Sequence, residues 1–277
     1  MITGDLFPTF GNAIQSTGLS VVHDKTIYQQ NLGYCPQFDP LLDKLSGRET
    51  LEFFGRLRGV QENSLVPLVN QLIYLTDLTN YANRKTESYS GGNKRKLSLA
   101  IALMANPKIL LLDEPTSGVD PGARRKIWAT LSHVSKIFGC SLILTSHSMQ
   151  ECESLCQRIA IMVSGQLRCL GPSQHLRGKY GQGYTIIVKF KRDKIEDGQY
   201  LEEVRSHLMT AIPSASFTDQ HETLWTLRVS DPTVQWSTLF ERMQDCKVKF
   251  DLEDYTVSDT TLEQIFVGFA REQRPHQ

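Results

Sequence analysis

Short apolar runs alternate with amphipathic stretches through the first half of the chain and somewhat beyond it. The runs at 31–36, 109–112, 141–144 and 159–163 have the length of short buried strands. Strands that alternate with helices are typical of βαβ units, so this part predicts a parallel sheet covered by helices. The predicted helices are 48–57, 66–78, 91–104, 123–138 and 149–155.

The pattern changes at 178–183, where three glycines fall within six residues and predict a domain boundary. Strands and helices then follow in the order β-α-β-β-α-β, which is the order of a ferredoxin-like fold. We therefore predict two domains, 1–178 and 179–277. The predicted elements of the second domain are strands at 184–191, 215–218, 224–229 and 247–252 and helices at 201–209, 234–246 and 262–271.

Composition indicates an ordinary globular protein without a basic or acidic bias. Thirty basic residues balance thirty acidic ones, which gives no argument for nucleic acid or an anionic membrane surface as a partner. No apolar run approaches the ~20 residues that span a bilayer. The six cysteines are scattered, as expected for reduced thiols in a cytosolic chain.

Two adjacent carboxylates, Asp113 and Glu114, come directly after the apolar run 109–112. A strand in a parallel sheet delivers its last side chains to the carboxyl edge, where open α/β sheets bind ligands. Paired carboxylates there suit phosphoryl transfer, because one can hold Mg²⁺ and the other can orient or deprotonate the attacking water. Acidic residues also end buried strands at solvated edges, so the motif alone leaves both interpretations open.

Three weaker features each allow a functional and a structural interpretation. Ser90-Gly91-Gly92 opens a predicted helix, and its backbone amides can bind an anion or serve as an ordinary helix cap. His147 and Gln37 follow predicted strands, where such side chains contact phosphate, Mg²⁺ or water, or are simply structural. Asp120 precedes a predicted helix and is expected to cap it.

The order of these features along the chain is more specific than any one of them: Gln37, Ser90-Gly91-Gly92-Asn93, Asp113-Glu114, Asp120 and His147. In this order they resemble the Q-loop, signature loop, Walker B strand, D-loop and switch histidine of an ATP-binding cassette (ABC) transporter nucleotide-binding domain. Five segments also resemble the A subfamily of lipid exporters, and the last of them resembles the tail of a second cassette with its regulatory domain. They are 33–39, 47–49, 89–96, 146–149 and 255–269.

The resemblance implies a fold, a reaction and partners. The fold is an ABC-type (RecA-like) α/β ATPase core with a parallel sheet and a helical subdomain, incomplete at its N-terminus and followed by a small α+β ferredoxin-like domain. The cofactors are ATP and Mg²⁺. The partners are a second nucleotide-binding domain and the transmembrane domains of a parent lipid transporter, at the cytosolic face of a membrane.

The resemblance also assigns roles to the matching residues. It makes Glu114 the general base, lets Asp113 and Gln37 serve Mg²⁺ and water, and lets His147 stabilise the γ-phosphate. The signature residues Ser90, Gly91, Gly92 and Asn93 bind the nucleotide of the partner cassette. Asp120 couples the two nucleotide sites.

One family motif, the phosphate-binding G-x-x-x-x-G-K-[ST] of Walker A, does not occur in the chain. The only Gly-Lys pair, 178–179, is followed by Tyr180. Because residues 1–5 resemble the end of the helix after Walker A, we expect the chain to start just beyond that loop and to be marginally stable alone. The alternative is a non-catalytic fragment that only offers its signature loop to a partner. A soluble ABC protein of the repair or translation kind is disfavoured, because neither a second cassette nor a coiled-coil insertion is visible.

Overall fold

A computed structural model describes residues 2–181, 183–195, 197–221, 223–231 and 234–272. Packing divides the chain into two compact units, Met1–Leu155 and Cys156–Gln277. This division falls before the predicted boundary at 178/179, because the segment that follows Leu155 packs within the second unit. The boundary at 178/179 stays a prediction about the functional domains.

The first unit is built on a three-stranded parallel sheet. Its strands are β1 (Leu32–Cys35), β2 (Ile109–Asp113) and β3 (Ser141–Thr145), which fall on the predicted apolar runs and pair in parallel as predicted. They lie in the order β1-β2-β3. One short helix, α1, lies where the pattern predicted no element. The helices are α1 (Lys25–Gln30), α2 (Gly47–Leu57), α3 (Glu62–Leu75), α4 (Gly91–Ala102), α5 (Pro121–Phe138) and α6 (Met149–Leu155).

The side chains of Ser46 and Asp120 cap the N-termini of two of these helices, α2 and α5. Ser46 precedes α2 and accepts a hydrogen bond from the Glu49 amide at 3.2 Å, while the Glu49 carboxylate accepts from the Ser46 amide at 2.8 Å. Such reciprocal caps stabilise a helix start by about 1 kcal/mol. Asp120 precedes α5 and accepts from the Ala123 amide at 2.9 Å, which confirms its predicted capping role.

Helix α4 lies at the centre of the first unit, with 10 of its 12 residues buried. It packs on β1 at Gly33, where a Cβ atom would collide with the Ala102 carbonyl oxygen and the Leu110 side chain. A glycine in the strand therefore permits the close approach of helix and sheet. Because α4 is enclosed, the charged side chains Arg95 and Lys96 on it are buried as well, with 3% and 5% of their surface exposed.

The second unit has an antiparallel hairpin and a four-stranded antiparallel sheet. The sheet order β7-β8-β6-β9, with the element order β-α-β-β-α-β, is the predicted ferredoxin-like arrangement. Among the described residues, no helix of either unit has the length and apolarity that crossing a membrane requires. The elements are β4 (Ile159–Val163), β5 (Gln166–Gly171), α7 (Ser173–Tyr180), β6 (Tyr184–Lys189), α8 (Gly198–Ala211), β7 (Ala215–His221), β8 (Leu224–Val229), α9 (Trp236–Phe250), β9 (Asp254–Asp259) and α10 (Leu262–Glu272).

The strand predicted at 247–252 is wrong. Helix α9 continues through Phe250, and Asp251 ends it in the left-handed conformation with φ 52°. The alternating apolar and charged residues of 247–252 imitate a strand, but Met243, Cys246 and Phe250 follow one another at helical spacing on the core side of α9. The strand begins three residues after Asp251, at Asp254.

Candidate functional site

The carboxyl edge of the parallel sheet carries the two predicted catalytic carboxylates. Asp113 ends β2 directly opposite Thr145, the last residue of β3. The Thr145 hydroxyl donates to Asp113 Oδ1 at 2.6 Å, and the same hydroxyl oxygen accepts from the Glu114 amide at 3.1 Å. Thr145 thereby fixes the orientation of Asp113 and the position of Glu114. No sequence signal distinguished Thr145, although it directly follows a predicted strand as Asp113 does.

Glu114 stands at a strained turn. Its φ of 47° is left-handed, which costs a residue other than glycine about 1 kcal/mol or more. Past this turn, Glu114 Oε1 lies 2.8 Å from His147 Nε2. The Glu114 side chain is only 18% exposed whereas that of His147 is 89% exposed. The histidine therefore meets the carboxylate from the solvent side, and the two predicted site residues do come together.

Gln37 is held near this edge through its main chain. It lies exposed in the loop after β1, and its carbonyl oxygen accepts a hydrogen bond from Arg95 Nη1 at 3.3 Å. The same guanidinium binds the main chain of Asp113 and Glu114. Sequence reasoning missed Arg95, because a Lys-Arg-Lys run normally indicates solvated charges, and only the enclosure of α4 turns this arginine inward.

The predicted signature residues lie at the start of α4, beside Asp120. Ser90 caps α4 by accepting from the Asn93 amide at 3.4 Å. Gly92 is packed, since a Cβ atom there would lie 2.9 Å from Ala123 Cβ and 3.2 Å from Asp120 Oδ1. Gly91 is open, with nothing within 4 Å of such an atom. Gly91 thus leaves the helix N-terminus accessible to an anion, while Gly92 lets the start of α4 pack closely against Asp120 and Ala123.

A buried carboxylate, Glu151 on α6, ties the loops around this site together. It is 1% exposed and was missed because an acidic residue on a short helix normally faces solvent. Its Oε1 accepts from the Thr116 hydroxyl at 2.8 Å and from the Trp128 indole at 2.9 Å. Its Oε2 accepts from the Ser146 hydroxyl at 2.5 Å. Glu151 therefore joins the segment after Glu114 to the residue before His147.

Two side chains near Asp113 are kept in their neutral forms. Desolvation raises the pKa of the Cys35 thiol from 9.0 to about 11, with Asp39 and Asp113 adding to the rise. Desolvation also raises the pKa of Tyr34, and the negative charge of Asp113 is the next cause. Neither group competes with the carboxylates as a base near neutral pH.

The two residues predicted to serve Mg²⁺ carry oxygen donors of the kind that a nucleotide-bound Mg²⁺ takes. Mg²⁺ is usually bound by one or two carboxylates together with substrate phosphates, and Asp113 and Gln37 offer one carboxylate and one amide oxygen. Over the described part of the chain, no group of three or more His, Cys, Asp or Glu side chains is placed to hold a metal.

Family and structure comparisons agree with this geometry. Residues 1–117 match the family model described as ABC transporter, and residues 181–259 match that described as ABCA1-like, C-terminal R1 regulatory domain. A dimeric ATP-binding cassette in a post-hydrolysis state, bound to ADP and Pi, superposes with a TM-score of 0.56 at 21% identity, over 62% of this chain and 77% of that one. The ATP binding subunit of an ABC transporter gives 0.57 at 20% identity, over 65% and 74%. The chain thus contains the ABC-type ATPase fold.

Three curated proteins that are similar to this chain belong to one subfamily of ABC transporters. The Phospholipid-transporting ATPase ABCA3 of Mus musculus is 40% identical over 275 residues, 99% of this chain and 16% of that protein. ATP-binding cassette sub-family A member 2 of Homo sapiens is 42% identical over 99% of this chain and 11% of that protein. Retinal-specific phospholipid-transporting ATPase ABCA4 of Homo sapiens is 41% identical over 99% and 12%. The chain spans a small part of these relatives. It combines an ABC transporter domain with an ABCA1-like regulatory domain, and its relatives over nearly its whole length are members of the A subfamily, as the motifs predicted.

Proposed function

We propose that the chain is a nucleotide-binding cassette with its regulatory domain, and that it couples Mg-ATP hydrolysis to lipid export by a membrane transporter. The observation that carries this proposal is the contact of 2.8 Å between Glu114 and His147, beside Asp113 at the carboxyl edge of the sheet. The printed names of two relatives, phospholipid-transporting ATPases, support lipid as the cargo. The cassette would lie at the cytosolic face, as the second cassette of a longer protein, with domains 1–178 and 179–277.

The residues at the sheet edge would share the work of hydrolysis. Bound Mg-ATP supplies the transferable phosphoryl group and a cation that neutralises its charge. Glu114 accepts the proton of the attacking water, because its carboxylate is oriented by the strained turn and by His147. Asp113 and Gln37 would hold the cation and water, and the imidazole of His147, which is 89% exposed, would donate to the terminal phosphate when a nucleotide is bound.

The signature residues at the start of α4 would bind a different nucleotide, the one held by a partner cassette. Ser90, Gly91, Gly92 and Asn93 open α4, whose N-terminal amides and partial positive charge attract phosphate. Asp120 packs against Gly92 and would transmit occupancy of that site to the loop after Glu114. Because the chain contains no Walker A motif, the alternative role of a non-catalytic chain that only completes a partner's site is kept.

The test is Mg-ATP-dependent association of the 277-residue chain with a separate ABCA-type cassette that contains a complete Walker A loop. The partner carries a Gln in place of its own Walker B glutamate, so that ATP is not consumed. We expect a complex in analytical ultracentrifugation with Mg-ATP and none with Mg-ADP. The variant Gly91→Asp should abolish it, because a carboxylate at the first turn of α4 repels phosphate yet suits a helix start.

Gly198→Asp is the matched control. Gly198 also opens a helix, α8, and also has nothing within 4 Å of a Cβ atom. This variant should associate like the wild type. If the wild-type chain does not associate with the partner in Mg-ATP, or if both aspartate variants associate equally well, the signature role is wrong.

A further inference from the structure

Helix α4 connects the predicted signature residues at its start with the loops that carry Gln37 and Glu114. Its first residues form the signature loop, and Arg95 follows within the next turn. The Arg95 side chain, only 4% exposed, points away from the signature loop's open face and into the loops that carry Gln37 and Glu114. One rigid helix thus holds a phosphate-facing end and a cation that binds the catalytic loops.

All three guanidinium nitrogens of Arg95 are engaged. Nη1 donates to the loop after β1, Nη2 to the end of β2 and the residue after it, and Nε to the residue beyond. Five of the six acceptors are main-chain carbonyls, so the contacts depend on loop position rather than on side-chain identity. The acceptors are Pro36 O (2.5 Å), Gln37 O (3.3 Å), Asp39 Oδ1 (3.0 Å), Asp113 O (2.6 Å), Glu114 O (3.0 Å) and Pro115 O (3.0 Å).

These bonds bear directly on the strained turn at Glu114. The carbonyls of Asp113 and Glu114 flank the residue with φ 47°, and both accept from Arg95 Nη2. On the other side, Thr145 holds the Glu114 amide. A left-handed residue persists only where its surroundings fix it, and Arg95 supplies two of the hydrogen bonds that do so. A lysine has only three donors at one point and cannot replace the planar fork.

We propose that Arg95 is a positioning residue that couples occupancy of the signature loop to the geometry of the loops carrying Gln37 and Glu114. The inference rests on the proposed function, because the signature loop must meet a nucleotide for the coupling to act. When a phosphate engages Ser90–Asn93, α4 is drawn toward it, and Arg95 carries the two catalytic loops along. The nucleotide site that the chain completes for its partner is thereby linked to the carboxylate of its own site.

Lys96 is the matched control for a buried cation on the same helix. It is the neighbour of Arg95 and is similarly enclosed, but its Nζ bonds to Asp77, 3.1 Å away, instead of the catalytic loops. Arg95→Gln and Lys96→Gln each remove one buried positive charge from α4. Arg95→Lys keeps the charge and loses the fork, so it supplies the comparison even if Arg95→Gln fails to fold.

The first arm measures amide hydrogen exchange by mass spectrometry on the full chain alone. Arg95→Gln should exchange about tenfold faster than the wild type in both 37–39 and 114–117, because charge-assisted bonds to these loops are lost. Arg95→Lys should show a smaller increase in the same segments. Lys96→Gln should leave both segments unchanged. Equal acceleration in Lys96→Gln, or acceleration of only one loop in Arg95→Gln, would overturn the positioning role.

The second arm adds the Walker A-containing partner cassette and Mg-ATP. In the wild type, exchange should slow at 90–93 and in both catalytic loops, whereas in Arg95→Lys it should slow at 90–93 alone. If amide exchange in the catalytic loops slows in the Arg95 variants as much as in the wild type, the coupling is refuted while the proposed function stands. No slowing at 90–93 in the wild type would refute the proposed function, and the coupling with it.

Discussion

Glu151 offers the sharpest stability prediction in the first unit. Its carboxylate is 1% exposed and accepts hydrogen bonds from Thr116, Trp128 and Ser146. In Glu151→Ala the two hydroxyl groups can rotate toward other acceptors, but the indole N–H cannot, and losing its partner costs roughly 1–2 kcal/mol. The void of about 50 Å³ adds about 1 kcal/mol at ~24 cal/mol per Å³. We therefore expect a loss of about 2–3 kcal/mol, a large share of the 5–15 kcal/mol typical of a domain.

Glu151→Gln separates hydrogen bonding from bulk. The amide oxygen can still accept from Thr116 and Trp128, so we expect a loss of only about 1 kcal/mol. Urea unfolding followed by circular dichroism, fitted with one transition for each unit, measures both variants. Gln150→Ala, an exposed position on the same helix, is the control and should stay within about 0.5 kcal/mol of the wild type. If Glu151→Ala costs no more than this control, the carboxylate does not hold the two loops and α5 together.

Three further predictions follow from contacts in the two units. Gly92→Ala should lower the unfolding free energy by about 1–3 kcal/mol in urea, because its Cβ atom would lie 2.9 Å from Ala123 Cβ, whereas the open Gly91→Ala should not destabilise. His147→Ala should change it by less than about 0.5 kcal/mol, because the side chain is 89% exposed, so any loss of ATPase activity in this variant is chemical. Hydrogen bonds from Lys191 and Lys194 lower the pKa of Asp251 from 3.8 to about 2, so this stabilisation is complete above pH 4 and is lost as the pH falls toward 2. Urea midpoints at low salt should therefore fall less steeply over this pH range in Asp251→Asn than in the wild type; an identical slope would contradict the assignment.

Sequence patterning predicted the frame of the molecule well, for physical reasons. The strand at 109–112 is apolar because its side chains are buried in the sheet, and capping at Asp120 is a local interaction that needs only neighbouring residues. The run 141–144 also forms a strand, but it is less buried, with Ile143 50% exposed. The error at 247–252 arose because alternation of polar and apolar residues fits either element over such a short range. Tertiary packing of α9 decided in favour of the helix.

The sequence predicted the site residues that stand at the ends of strands, but not the buried side chains that join the loops around them. Asp113, Glu114 and His147 follow strands, and the geometry of a parallel sheet brings such positions together. Arg95 and Glu151 could not be predicted, because nothing local shows that a charged residue on a helix faces inward. Their burial is a consequence of long-range packing, and both act by joining loops that are far apart in the chain.

The most direct test of the central claim is ATP hydrolysis by the native protein and its Glu114→Gln variant. An antibody to the segment Tyr255–Phe269 would purify each from cells after separation into soluble and membrane fractions. We predict a membrane protein larger than 31.4 kDa whose Mg²⁺-dependent ATPase activity falls at least about a hundredfold in Glu114→Gln, in line with loss of a general base. A soluble protein near 31.4 kDa without ATPase activity, or a variant as active as the wild type, would contradict the account.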